Sequence, residues 1–163
     1  MQDLLVRLYG LPPLDLRRAE AHGVTVRRAL APEKHLVVDW VRTTFEPAWA
    51  SEVDVAFSAA PMGCFVAVRD GRPIGFACID TTAKGFFGPI GVDASAQGTG
   101  VGTALFLTAL HAMRAAGYGY AVIGAAGPTD FYGRIVPILP IPDSWPGIYA
   151  GLLRDEPDEG SEG

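Results

Sequence analysis

The residues best placed to do chemistry form a short glycine-rich run, Gln97-Gly98-Thr99-Gly100-Val101-Gly102. Glycines at 98, 100 and 102 remove the Cβ atoms that would hold a ligand away from the backbone. A helical pattern begins at about Gly100, inside the run. Its first turn offers unpaired N–H groups and the positive end of a helix dipole. Together these make an anion site suited to phosphate or pyrophosphate. Two nucleotide signatures fail here. The dinucleotide fingerprint needs G-x-G-x-x-G and an acidic residue further on, but the loop reads G-x-G-x-G and residues 118–124 contain no Asp or Glu. The mononucleotide loop needs Gly-Lys-Ser/Thr, and Gly102-Thr103 has no lysine.

The flanking segments must hold that loop in place. Residues 24–30 alternate β-branched and basic side chains and read as a strand. Pro32 opens a helix to Phe45 with an apolar stripe of Leu36, Val37, Trp40 and Val41, and Pro47 opens a shorter one to about Phe57. Residues 64–80 are two apolar runs around Asp70-Gly71, a hairpin signature. A strand over 85–92 leads into the loop, and a helix follows to Ala116. Strand 121–126, a short helix near 129–135 and a final strand over 147–153 complete the order. This predicts a mixed α/β sheet, with strands 85–92 and 121–126 parallel neighbours across a right-handed helical crossover.

Composition narrows the class. A chain of 163 residues, 49% hydrophobic and 19% charged, suits one compact domain, expected over residues 1–154 with 1–22 as an N-terminal extension packed on it. Five of the 18 acids fall at 155–162, leaving 13 acids against 13 bases in residues 1–154. The body is thus neutral, and 155–163 read as a disordered acidic tail. Neither nucleic acid nor an anionic membrane surface is an expected partner. No stretch approaches the ~20 apolar residues of a membrane span, and no secretory apolar region opens the chain, so the expected location is cytoplasmic. Cys64 and Cys78 read as buried thiols on neighbouring strands, and the three histidines match no zinc spacing, so no metal is expected.

The segment Gln97-x-x-Gly100-x-Gly102, preceded by the strand FGPIGV and followed by Asp130-Phe131-Tyr132-Gly133, resembles the Gcn5-related N-acetyltransferases (GNAT) over roughly residues 24–153. The resemblance implies the acyl-CoA N-acyltransferase fold: a mixed, mostly antiparallel sheet with a central splayed parallel pair and flanking helices. It implies acetyl-CoA as acyl donor. Its pyrophosphate would lie on Gln97, Gly98, Thr99, Gly100, Val101, Gly102 and Thr103, its pantetheine along Ile90, Gly91 and Val92, with Phe131 beside it. Pro89 supports the splay independently, since proline cannot donate to a strand ladder.

Tyr132 is implied as the acid that protonates the departing thiolate, and a phenol of ordinary pKa ~10 is protonated at neutral pH. The general base is unassigned. Strand 84–92 contains no acid, which leaves Asp80, Asp130 and Asp143 nearby, each also readable as a surface acid or cap. The sequence departs from the family at Ala125, where relatives often carry Asn, and in the proline-rich 128–146 segment. Asp143, Ser144, Trp145 and Tyr149 are candidate acceptor-lining residues, with a core position open for Trp145. The implied activity is acetyl transfer to a primary amine of a small molecule or peptide, by direct attack in a ternary complex. A catalytically degenerate acyl-CoA sensor and an enzyme for longer acyl chains are the alternatives, and a homodimer is open.

Overall fold

The computed structural model describes residues 1–127 and 129–155. Beyond Asp155, the tail read as disordered lies outside them. In chain order the elements are β1 (Gln2–Arg7), α1 (Arg17–Ala21), β2 (Thr25–Arg28), α2 (Lys34–Thr44), α3 (Pro47–Phe57), β3 (Cys64–Arg69) and β4 (Arg72–Ile79). There follow β5 (Phe86–Val92), α4 (Val101–Ala115), β6 (Tyr120–Ala126), α5 (Asp130–Gly133) and β7 (Ile138–Pro140). They build a seven-stranded sheet of order β2-β3-β4-β5-β6-β1-β7. Every neighbouring pair is antiparallel except β5–β6.

The sheet is covered on both faces by different helices. On one face α4 buries Leu105, Phe106, Leu110 and Met113 against Phe87, Ile123, Leu4 and Val6. A large apolar side chain moved fully out of water contributes roughly 1.5–3 kcal/mol, so this helix is the main anchor of the β5–β6 crossover. On the other face α2 and α3 set Val37, Val41, Val53 and Phe57 against Val66, Phe76 and the two cysteines. Cys64 and Cys78 are register partners on β3 and β4, both buried and free. Of the stripe predicted on α2, Leu36 points outward and is 58% exposed, because the helix turns Val37 and Val41 inward and Leu36 follows them off the interface.

The two ends of the chain depart most from the sequence reading. Residues 2–7 are a strand inserted between β6 and β7, so the N-terminal segment is part of the sheet. Residues 147–153 form no strand; Gly147–Tyr149 make a single 3₁₀ turn. The edge of β1 is taken instead by Ile138–Pro140, paired as Leu5↔Leu139 and Val6↔Ile138. An edge strand is where proline is tolerated, since its outer side has no ladder to feed.

Asp3 ties these ends together. Its carboxylate accepts the amide of Ala125 at 2.7 Å, its own amide donates to Ser144 Oγ at 2.8 Å, and its carbonyl accepts from Ile141 N–H at 2.8 Å. Ala125 is held at φ 45°, a left-handed backbone unusual for alanine, and β1 carries a register shift between Gln2 and Leu4 opposite it. Among the described residues, no helix is long and apolar enough to cross a membrane.

Candidate active site

Strands β5 and β6 run parallel but are paired only at Phe86↔Val122 and Phe87↔Ile123. Beyond Phe87, β5 turns toward β4: Ala77 faces Ile90 while Ile79 faces Phe87, so Gly88 and Pro89 sit in a bulge. Pro89 is therefore where the sequence placed the parting of the strands. From Gly88 onward β5 and β6 diverge, and the opening leads toward the glycine loop.

The loop has the conformation its glycines permit. Gly98 and Gly100 adopt φ 78° and 83°, left-handed values open to glycine at little cost. Gly100 is the N-terminal cap of α4 and, having no side chain, makes no cap hydrogen bond. Ala104 N–H is the first to reach back, to Gly100 O at 3.0 Å. The N–H groups of Val101, Gly102 and Thr103 thus precede the helical ladder, and no acid occupies the first turn. Gly102 also lets Phe131 approach: a Cβ there would stand 3.3 Å from its ring.

A cleft of about 440 Å³ lies over this helix end. Ile90, Gly91 and Val92 line it from β5, and Gln97, Gly98, Gly100, Gly102, Thr103 and Phe131 from the loop and α5. Of the loop residues singled out in the sequence, Thr99 and Val101 do not line it. The Thr99 hydroxyl is turned back onto the Ala96 carbonyl, and Val101 is buried in the core. Two cations that the sequence reading missed stand at the cleft, Arg18 and Arg134. Arg18 comes from α1 and donates from Nη2 to the Gly98 carbonyl at 2.7 Å. Nothing in its sequence context signals this, because the contact spans 80 residues.

Tyr132, on α5, packs against the core on the α4 side of the sheet and is not among the residues that line the cleft. Its ring packs against Phe106 and Phe131, centroids 5.2 Å away in each case, and against Phe87 at 6.3 Å. Its phenol makes no hydrogen bond to a described residue, and burial pushes its pKa above the ordinary value. The group therefore stays protonated through neutral pH.

The other sequence candidates are scattered. Asp80 is turned away from the cleft: one oxygen accepts Gly85 N–H at 2.7 Å, the other the Tyr118 hydroxyl at 2.8 Å. Asp130 opens α5 and is exposed, as is Asp143. Ser144 Oγ is spent on the Asp3 amide and the Ile141 carbonyl. Trp145 is 48% exposed, which removes the core position considered for it, and lies beside Tyr149 with centroids 6.1 Å apart. Tyr149 is half-buried. Its hydroxyl is so close to Gly124, the residue after the last β5–β6 pair, that a Cβ there would come within 2.5 Å.

The helix-crossed parallel step opens beside an uncapped helix end, an arrangement suited to an anionic ligand. The model of the acetyltransferase (GNAT) family matches residues 34–131, and the chain belongs to that family. Comparison with curated proteins gives no match. Among solved structures, the chain is similar to a GCN5-related glucosamine N-acetyltransferase region of a fungal multi-domain β-N-acetylglucosaminidase (TM-score 0.70, 16% identity, covering 85% of this chain and 20% of that one). It is also similar to a GCN5-related N-acetyltransferase of Sphaerobacter thermophilus (0.63, 19%, covering 85% and 48%). A GNAT acetyltransferase of Brucella melitensis, solved with acetyl-CoA, aligns at 0.50 with 23% identity, covering 69% and 82%. The chain thus spans a fifth and about half of the length of the first two. These likenesses concern the fold.

Proposed function

We propose that the protein is an acetyl-CoA-dependent N-acetyltransferase acting on a primary amine by direct attack within a ternary complex. The observation that carries this reading is the divergence of β5 from β6 immediately after Phe87, beside the uncapped N-terminus of α4. The amides of Val101, Gly102 and Thr103 would take the pyrophosphate, with Arg18 and Arg134 supplying positive charge beside it. The arm of the donor would lie along Ile90–Val92, where β5 has backbone groups not used by β6. The amine nitrogen attacks the thioester carbon, the C–N bond forms, and the C–S bond breaks. Tyr132, kept protonated by its apolar surroundings, gives its proton to the leaving thiolate. Placing both reactants in one opening supplies much of the acceleration through orientation alone.

The test is release of CoA thiol from acetyl-CoA in the presence of a panel of primary amines, with the acetylated product identified by mass. Amine-dependent release together with an N-acetyl product supports the reading. Tight acetyl-CoA binding with no transfer to any amine contradicts it.

A further inference from the structure

On the α2–α3 side of the sheet, beside the point where β5 leaves β6, stands a carboxylate that the mechanism above does not use. Glu52, midway along α3, is half-buried against the turn between β4 and β5. The hydroxyls of Thr81 and Thr82 both donate to its Oε1, the former at 3.5 Å. The same Thr81 hydroxyl lies 3.2 Å from the Gly88 carbonyl, so the carboxylate is tied to the residue at which β5 leaves β6. Tyr149 faces the same place: its hydroxyl reaches over Gly124 of β6, and after burial the charge of Glu52 is among the causes that raise its pKa. Glu52 Oε2 accepts no hydrogen bond, and no Lys or Arg pairs with Glu52 among the described residues.

Such an arrangement is costly as pure structure. A carboxylate removed from water without a counter-cation loses hydration that two hydroxyl bonds only partly replace. The charged groups around it make matters worse: Glu46 at the start of α3 repels it, while Cys78 of β4 and Tyr149 from the C-terminal segment are neutral. Burial is the main reason its pKa is raised above the usual carboxylate range, with the Thr82 and Thr81 bonds opposing. What would relieve the cost is a cation brought to Oε2 from the opening.

We infer that Glu52, with Thr81, Thr82 and Tyr149, forms the acceptor subsite, that this subsite takes a substrate amine as its ammonium ion, and that Glu52 removes the proton that frees the nitrogen for attack. The inference rests on the acetyltransferase reading and specifies its missing base. One ammonium proton passes to Glu52 and from there to solvent. The neutral amine attacks the thioester carbon, the C–S bond breaks, and the thiolate takes the Tyr132 proton. The second proton, shed as the amide forms, restores Tyr132. Protons and electrons balance without any further reactant.

The experiment follows CoA thiol release from acetyl-CoA with methylamine, phenethylamine and 1,4-diaminobutane and with the matching alcohols, in the native protein and in Glu52→Gln. Acetyl-CoA affinity is measured by calorimetry on the same preparations. Glu52→Gln keeps the oxygen that the threonine hydroxyls use and should fold. The expected result is amine-dependent release that falls ~100-fold or more in kcat/KM in the variant, with acetyl-CoA affinity unchanged. The loss should shrink toward alkaline pH, where amines arrive neutral. Native-like release in the variant, a loss independent of pH, or alcohols serving as well as amines would each overturn the inference. Absence of acetyl-CoA binding in the native protein would instead defeat the underlying acetyltransferase reading.

Discussion

Arg18 of α1 donates to the carbonyl of Gly98 at 2.7 Å, fastening the N-terminal helix to the loop that opens the anion cleft. The side chain is exposed and crosses the face of Gly100, where a Cβ would come 2.8 Å from its Cδ. Its charge is therefore presented where phosphate would bind.

Replacing Arg18 by Ala should weaken acetyl-CoA roughly 5–10-fold, which corresponds to about 1 kcal/mol for an exposed cation. The effect should diminish as salt is added, because the interaction is screened. Calorimetry at low and high ionic strength reads both. The thermal midpoint without ligand should barely move, since Arg18 gives the fold only one exposed hydrogen bond.

Tyr132→Phe keeps the ring that packs against Phe106 and removes only the proton. Turnover should fall by ~10²-fold with acetyl-CoA affinity preserved. The native rate should hold to alkaline pH and fall as the phenol ionises, above its ordinary range because burial raises its pKa. That alkaline fall should be missing in the variant. A pH–rate profile of both proteins decides it.

Asp3 is 9% exposed, and its carboxylate accepts the Ala125 amide. Asp3→Ala leaves that amide without its partner, at a cost of about 2 kcal/mol, or roughly 4–8 °C in midpoint for a domain of this size. Differential scanning calorimetry measures it directly.

Much of the frame was legible in the sequence. The hairpin around Asp70-Gly71, the strand over 85–92 and the helix to Ala116 announce themselves through local period and turn chemistry, and the anion loop through its glycine spacing. Pro89 marked the place where β5 and β6 part. What the sequence did not show are links between distant segments. The pairing of residues 2–7 with β6, the Asp3–Ala125 bond and the reach of Arg18 to Gly98 depend on how the sheet closes. Residues 147–153 have strand-like composition, but the edge they would need is already taken by Ile138–Pro140. Glu52 was hidden for a related reason: on α3 it looks like an ordinary helix-surface acid, and only the Thr81–Thr82 turn gives it a setting.

The charge of Glu52 also has a signature in stability. Its pKa is raised on folding, so the folded state holds the proton more tightly than the unfolded chain. Its favourable share is present below the unfolded carboxylate pKa and is lost as pH rises through the raised folded value. Glu52→Gln, which cannot ionise, should therefore gain stability relative to the native protein as pH rises from about 4.3, the ordinary Glu value, through the raised folded value. Midpoints that keep a constant difference over that range would contradict the burial described for Glu52.

Titration calorimetry reads whether the cleft over α4 binds acetyl-CoA. Native protein should bind acetyl-CoA at a single site, and ligand at 100 times the dissociation constant should add ~2.7 kcal/mol of stability. The double variant Arg18→Glu, Arg134→Glu changes two exposed side chains and should fold normally while losing most of that affinity. No binding by well-folded native protein, or equal affinity in the double variant, would mean that the cleft over α4 is not an acetyl-CoA site.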